Sequence, residues 1–376
     1  MAGPAPGRLR VTVLNPFGEL GGAEYWLLRL LDATDDLEVD AVLLRDGPLR
    51  PELESRGVAV RVLPVGRRPV DVLRSWGPLR RALRASAPDV VLANGVKAQV
   101  ALGPLPRVLR LPTVWVKHDH SFDRWVTPVV ARVAHEVVAT TEELVPATRR
   151  ADVTVIHPPQ PVGQALPRDL ARKQVEDRVG RPVGRLLVML SRFTPYKGID
   201  TAIRALAAPG AEGWDLLVMG GEDPAEPGEG RRLSGLAADL GVADRVHLAG
   251  HVADAAELLG GADALAVLTR PAGPRTPGRE GFGMAAMEAT LAGVPVLAPD
   301  DGGPVGRRVR RGGGLLVDAL DPGSVARALG ELADPGRAEA LRAEALRLAP
   351  ELFDTAEVAA ARLVRVLRDA VGRRHR

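Results

Sequence analysis

The chain has 376 residues, 46% of them hydrophobic and 26% charged, enough to bury the cores of two ordinary domains. Its net charge is +3, its arginines are spread along the chain with one clear cluster at residues 373–376, and aromatics make up only 3%. That argues against a nucleic-acid partner, which asks for a basic face with stacking aromatics. With no cysteine, a disulfide framework, thiol catalysis and thiolate-bound zinc are excluded. Residues 1–10, MAGPAPGRLR, lack an apolar signal core, and no run reaches membrane-span length, so a cytoplasmic location is expected.

In chain order, residues 10–14 (RVTVL) read as a short apolar strand. Gly21-Gly22-Ala23-Glu24 opens an amphipathic helix with Trp26, Leu27, Leu30 and Leu31 on its buried face. Glu24 in the first turn suits the helix dipole. Strands follow at 39–44, 58–63, 90–93, 113–117, 135–139 and 152–156. Helices are expected at 49–56, closed by Gly57, and at 71–86, where Gly77-Pro78 should interrupt the helix. The alternation of strands and helices predicts a parallel sheet.

From about residue 157 to 184 the chain changes character. Pro158, Pro159, Pro161, Pro167 and Pro182 punctuate a charged stretch, and a linker is placed at 166–184 with a short helix at 170–179. A second α/β run follows. Its strands are expected at 185–190, 215–219, 245–249, 264–268, 294–298 and 314–317. Helices are expected at 198–208, 230–240 and 253–259 and from Asp321-Pro322 onward. Residues 355–371 form a long amphipathic helix with a basic tail. The fold class is therefore α/β. Two Rossmann-like domains, 1–165 and 185–352, are expected to face each other across a cleft, with segment 353–376 crossing back to the first.

The most informative stretch is 280–293, EGFGMAAMEATLAG. Gly281 and Gly283 loosen the backbone, and Met284, Ala285, Ala286, Met287 and Leu291 are helix formers. Glu280 and Glu288 thus stand at the two ends of a turn and helix that follow a buried strand, where ligands bind in open α/β sheets. Two carboxylates so spaced suit two hydroxyl-bearing parts of one elongated ligand better than a metal.

Other candidates have competing readings. His118 ends the strand in PTVWVKHDH and can meet a bound hydroxyl or be a satisfied surface histidine. His118 and His120 share a strand face and could bind metal, but no further cluster supports it. Gly21-Gly22 could bring amides to an anion or be a plain turn. Arg192 and Lys197, in SRFTPYKG after the strand at 185–190, suit phosphate oxygens, against a solvated loop. Arg270, Arg275 and Arg279 could meet phosphates or an acceptor, or be solvated. Residues 71–86 carry Arg74, Arg80, Arg81 and Arg84 beside Leu73 and Trp76; this could lie on an anionic membrane, although an ordinary surface helix is commoner.

EGFGMAAMEATLAGVPVLA resembles the E-x7-E signature of retaining glycosyltransferases of the GT-B fold, family four. GGAE, TVWVKHDH, SRFTPYKGIDTAIRAL, LLVMGGE and GGLLVDALDPGSVARAL extend the resemblance in order, loosely in the first half and tightly from 186 to 329. The resemblance implies that Arg192 and Lys197 bind the donor diphosphate and that Glu280 holds sugar hydroxyls. It implies that the backbone of Gly281, Phe282, Gly283 and Met284 approaches sugar and phosphate, and that Glu288 holds the ribose. Gly22 would lie by the diphosphate, and His118 would contact the transferred sugar, so His118 and Glu280 would be the catalytic pair. It implies a nucleotide-sugar co-substrate (UDP-sugar first), no metal or other cofactor, a small-molecule or lipid-linked acceptor, and transfer with retention by front-face attack. A hydrolase or epimerase of the same fold and a non-catalytic sugar-nucleotide-binding subunit are the alternatives. The sequence departs from the family at Val305-Gly306, where Pro-Glu is usual, and at Pro158-Pro159, where Asn-Gly is usual.

Overall fold

The computed structural model describes residues 7–66, 68–161, 165–223, 226–252, 255–271 and 278–373. It divides into two compact units: Met1–Gln160 with Asp354–Arg376, and Pro161–Phe353.

The first unit holds a seven-stranded sheet. Its strands are β1 (Leu9–Asn15), β2 (Leu37–Leu43), β3 (Ala59–Val62), β4 (Val90–Asn94), β5 (Thr113–Lys117), β6 (Glu136–Ala139) and β7 (Val153–Val155). The order is β3-β2-β1-β4-β5-β6-β7, with every pair parallel. The strands read as unbroken apolar runs because both sheet faces are covered: Val13, Leu14, Val90, Val91, Val114 and Trp115 are all buried. Chain direction across the sheet reverses between β1 and β4, so Asn15 and Asn94 end the two strands that flank the switch point.

One face packs helix Gly22–Asp32 and the returning helix Ala356–Arg373, which buries Ala359, Ala360, Leu363, Leu367 and Ala370 beside Trp26 and Leu27. The other face packs helices Pro69–Ser86, Val96–Leu102 and Val126–Val133. Helix Pro69–Ser86 is continuous through Pro78, contrary to the break expected there. The missing backbone bond is outweighed by Leu79, Ala82 and Leu83, which are buried on the helix's inner face.

The second unit holds a six-stranded parallel sheet of β8 (Arg185–Leu190), β9 (Trp214–Met219), β10 (Val246–Gly250), β11 (Ala264–Ala266), β12 (Val296–Pro299) and β13 (Gly314–Val317). The order is β10-β9-β8-β11-β12-β13, so its switch point lies between β8 and β11. The loops after those two strands carry Lys197, Thr269 and Glu280.

The stretch expected to link the domains behaves differently. Helix Arg168–Val179 belongs to the second unit and buries Ala171 and Val175. Arg168 and Arg172 each reach Asp263, ahead of β11, at 2.6 Å. Only two small apolar residues face inward, so periodicity gave little sign of the docking. The chain passes between units near residue 160 and again near 353. Helix Pro335–Leu352 has no counterpart in the sequence reading. The helix expected at 253–259 is a short 3-10 turn, Glu257–Gly261, with residues 253 and 254 outside the described residues. Among the described residues, no helix is long and apolar enough to cross a membrane.

Candidate active site

In the second unit, Lys197 ends a 3-10 turn, Pro195–Lys197, after β8. Gly198 follows with φ 72°, and a Cβ there would come within 2.4 Å of the Leu268 carbonyl oxygen. Only glycine permits this approach. The backbone amide of Arg270 then donates to the Tyr196 carbonyl at 2.8 Å, fastening the loop after β11 to the turn after β8. As a result Lys197 and the Thr269 hydroxyl both hydrogen-bond to Oε1 of Glu280, and Nζ of Lys197 lies 3.5 Å from Oγ1 of Thr269.

Burial pushes the Glu280 carboxyl upward, but the charge of Lys197, the hydrogen bonds from Lys197 and Thr269, and the charge of Arg308 reverse this and hold it below the ordinary range. Glu280 is therefore an anion with one oxygen bonded to two donors. Gly283 caps helix Met284–Leu291 with φ 83°, and Glu288 lies partly buried in that helix. Gly281 and Met284 are partly exposed on either side of Gly283. The Phe282 ring packs edge-on against Phe353 at 6.3 Å, with the Arg308 guanidinium 4.3 Å from its centroid. Arg308 also donates to the Phe282 carbonyl. The ring of Phe282 is thus a packing anchor.

Arg192 is more than half exposed and pairs with Asp223, with its other nitrogen 3.4 Å from the Tyr196 hydroxyl. An exposed pair of this kind exchanges readily for another anion. In the same loop, the hydroxyls of Ser191 and Thr194 are buried with no hydrogen-bond partner among the described residues. Orphaned donors beside two cations are what an anionic ligand would satisfy. Arg270 is not available for this. It makes a two-pronged bond to Asp200 at 2.6 and 2.7 Å and another to Thr201 at 2.6 Å, all partly buried, so it fastens the loop to helix Ile199–Leu206. Arg279 is exposed, and Arg275 lies outside the described residues.

In the first unit, three strands deliver polar groups at their carboxyl ends. Nε2 of His118, after β5, lies 2.6 Å from Oδ1 of Asn94, which ends β4. Asn94 donates to Asn15 Oδ1 at 2.6 Å and to the Ala23 carbonyl at 3.3 Å. Asn15, ending β1, donates to the Phe17 carbonyl at 2.6 Å and to Glu24 at 3.1 Å. The network holds the start of helix Gly22–Asp32 against His118, whose ring meets Trp26 edge-on at 5.3 Å. Gly22, the first residue of that helix, is exposed beside it.

Burial lowers the His118 pKa to about 4, only partly opposed by Asp119 and reinforced by Lys117, so the ring is neutral at pH 7. Burial raises Glu24, opposed by the hydrogen bond from Asn15. Lys117 is fully buried and ion-paired with Asp123, and it donates to the Asp119 carbonyl at 2.7 Å. His120 pairs with Asp123 at 3.1 Å and not with His118. The two histidines thus have separate partners, and among the described residues no cluster of three or more His, Asp or Glu could hold a metal ion.

Thr269, Arg308, Asn15, Asn94 and Lys117 join these networks with no sequence motif to mark them. One signal was legible: β1, β4 and β5 each end on a polar residue after an apolar run, in TVLN, VLAN and VWVKH.

The family model described as "Glycosyl transferases group 1" matches residues 174–345, and that described as "Glycosyltransferase Family 4" matches residues 20–162. A D-inositol 3-phosphate glycosyltransferase of Acidothermus cellulolyticus is 39% identical over 191 residues, 48% of this chain and 39% of that protein. One of Thermobispora bispora is 33% identical over 267 residues, 67% of this chain and 59% of that protein. A GDP-mannose-dependent alpha-(1-6)-phosphatidylinositol monomannoside mannosyltransferase of Mycobacterium tuberculosis is 36% identical over 184 residues, 47% of this chain and 46% of that protein. The chain thus spans roughly two fifths to three fifths of the length of these curated relatives. Among solved structures, Anabaena HepE in complex with UDP and glucose superimposes with a TM-score of 0.81 at 22% identity, over 96% of this chain and 100% of that one. The two parallel Rossmann-like sheets are those of the GT-B architecture. The chain belongs to the group 1 glycosyltransferases of family four.

Proposed function

We propose that the protein transfers a sugar from a nucleoside-diphosphate sugar to a hydroxyl of a small-molecule or lipid-linked acceptor. The observation that carries this reading is the grouping of Glu280, Lys197 and Thr269 at the switch point of the second sheet, with orphaned hydroxyls and Arg192 in the adjoining loop. Glu280, held anionic, accepts from sugar hydroxyls. Arg192 leaves Asp223 for a phosphate oxygen, and Arg192 and Lys197 together stabilise the charge that develops on the departing diphosphate. The backbone of Gly281, Phe282, Gly283 and Met284 leads into helix Met284–Leu291, and Glu288 takes the ribose hydroxyls. In the first unit, neutral His118 takes a hydroxyl of the transferred sugar.

No metal is assigned a step, because the chain's own cations face the leaving group. The anomeric configuration is retained by front-face attack of the acceptor, since Glu280 is given to the sugar hydroxyls and no other carboxylate among the described residues is assigned to the reacting carbon. A UDP-sugar is the first choice of donor and GDP-mannose the second, following the complexes and names of the relatives. Acceptors carrying an inositol ring are the first to test, because two groups of relatives are named for inositol phosphate and phosphatidylinositol substrates.

The test is a donor panel offered to the purified full chain with inositol phosphates and phosphatidylinositol mannosides, with products resolved by mass and anomeric coupling. An α-linked product from an α-linked donor supports the reading. Donor hydrolysis or epimerisation that no acceptor alters, an inverted product, or no turnover with donor bound would refute it.

A further inference from the structure

The first unit carries a surface that none of the proposed donor contacts uses. Between residues 68 and 135 there are eleven Lys and Arg against four Asp and Glu, a surplus of seven in a chain whose net charge is +3. The rest of the chain is therefore net acidic. The arginines looked evenly spread along the sequence, but the fold gathers this segment's helices Pro69–Ser86, Val96–Leu102 and Val126–Val133 into one layer on one face of the first sheet. Their inner sides are buried, so their charges point outward together.

The arginines of this layer are also unlike most others. Elsewhere, arginines such as Arg10, Arg56, Arg150 and Arg172 are held by carboxylates. Here Arg74, Arg80, Arg81 and Arg84 on the first helix, Arg124 in the loop ahead of the third and Arg132 on the third are exposed, and none makes an ion pair among the described residues. A soluble surface of balanced charge would not leave so many cations of one layer unmatched.

Large apolar side chains stand among these cations. Trp125 is 72% exposed, Val129, one helical turn on, is 59% exposed, and Phe122 is 50% exposed. The backbone at Phe122 is held in the left-handed region, with φ 61°. The loop is fastened from beneath by the buried Lys117 through Asp123 and the Asp119 carbonyl. Phe122 and Trp125 are thus presented outward by a rigid support. Arg124 stacks on the Trp125 ring at 5.0 Å, pairing a cation with an amphipathic indole. On helix Pro69–Ser86, Val70 and Leu73 are likewise exposed beside Arg74.

We infer that this helix layer docks the protein on an anionic lipid bilayer, with Phe122, Trp125 and Val129 entering the headgroup boundary and the arginines meeting lipid phosphates. Tryptophan and phenylalanine beside unpaired arginine are the composition of an interfacial anchor. Each basic side chain near an anionic bilayer is worth roughly fivefold in partitioning, so several acting together give reversible but firm attachment. Nucleic acid fits less well, because the apolar side chains would be left without a partner.

The experiment floats the full chain with vesicles of phosphatidylglycerol and phosphatidylcholine, or of phosphatidylcholine alone, at physiological ionic strength. Partitioning onto the anionic vesicles should be at least about tenfold the stronger. The double variants Phe122→Ser with Trp125→Ser, and Arg80→Glu with Arg81→Glu, should each lower it about tenfold or more. Their melting temperatures should match wild type, since all four side chains are exposed. Tryptophan emission should shift to shorter wavelength on anionic vesicles, and Trp125→Phe should abolish the shift. Failure to float, binding indifferent to phosphatidylglycerol, or variants that bind like wild type would overturn the inference. So would tighter binding to a duplex oligonucleotide than to the vesicles, or a dimer in sedimentation that Trp125→Ser dissolves.

Discussion

Oδ1 of Asn94 accepts a hydrogen bond from Nε2 of His118 across 2.6 Å, and the chain itself fixes which atom donates. Asn15 must turn its amide nitrogen to the Phe17 carbonyl, which can only accept. Its oxygen therefore faces the Asn94 nitrogen, which also serves the Ala23 carbonyl. Asn94 is left with its oxygen toward His118, so the neutral ring carries its hydrogen on Nε2 and Nδ1 is the acceptor. The tautomer of His118 is thus set by a backbone carbonyl near the end of β1.

Removing that orientation should slow turnover without loosening the donor. We expect Asn94→Leu to lower kcat about 10- to 100-fold with the donor KM nearly unchanged. Asn94→Asp places a carboxylate beside the ring and should raise the His118 pKa, moving the acid limb of the pH–rate profile upward. Steady-state kinetics over a pH series checks both.

The depressed His118 pKa also predicts how stability changes with pH. The unfolded histidine takes up a proton near its ordinary value of 6.5, while the folded one resists until about 4. Unfolded chains therefore bind more protons in this window, and stability falls as pH drops from 6.5 toward 4. Wild type should lose about 2–3 kcal/mol more than His118→Asn across it. Urea unfolding of the two proteins at several pH values reads the difference, and an imidazole titration midpoint near 6.5 would contradict it.

Lys197 and Glu280 should fail in different ways. Lys197→Ala leaves a largely buried carboxylate without its cation and should cost about 1–3 kcal/mol of stability as well as donor affinity. It should also lift the Glu280 pKa, which Lys197 helps to hold low, so the stability that Glu280 contributes above pH 4.5 shrinks and less of it is left to lose as pH falls below 4.5. Glu280→Gln keeps an acceptor for Lys197 and Thr269 and should fold nearly as well while turning over far more slowly. Thermal melts with and without nucleotide sugar, beside initial rates, distinguish the two.

Gly283 tests the turn that starts helix Met284–Leu291. Its φ of 83° disfavours any side chain, and a Cβ would stand 2.3 Å from Cγ2 of Val305. Gly283→Ala should cost about 1–3 kcal/mol and weaken donor binding. Adding Val305→Ala should recover the part due to the clash and leave the part due to φ. Melting temperatures of the single and double variants measure the split.

Arg270 should behave as a fastener. Its bonds to Asp200 and Thr201 are partly buried, so Arg270→Ala should lower stability by about 1–3 kcal/mol. The donor KM should rise only to the extent that Lys197 loses its position. If Arg270 instead met phosphate, Arg270→Lys would raise KM with stability intact.

Much of the architecture was legible because it rests on local pattern. Apolar runs such as those at β4, β5 and β9 can be little else than strands buried on both faces, and their alternation with helices dictates parallel sheets. The glycines and helix formers of 280–293 announced a turn and helix for the same reason. The short helix expected at 170–179 is there as Arg168–Val179, but its docking onto the second unit was masked by an inner face of only Ala171 and Val175. Pro78 pointed to a break that Leu79, Ala82 and Leu83 override once they have a sheet to pack on.

By itself, then, the sequence determined the two α/β halves, the position of the donor-type motif and the strand that carries His118, because each depends on residues close in the chain. The tertiary structure alone decided the partners. It set Lys197 and Thr269 on Glu280, tied Arg270 to Asp200, linked His118 through Asn94 to Asn15 and Glu24, and gathered scattered arginines into one helix layer. These pairs lie up to 83 residues apart. No periodicity encodes such contacts, because they depend on which strand ends the sheet order brings side by side.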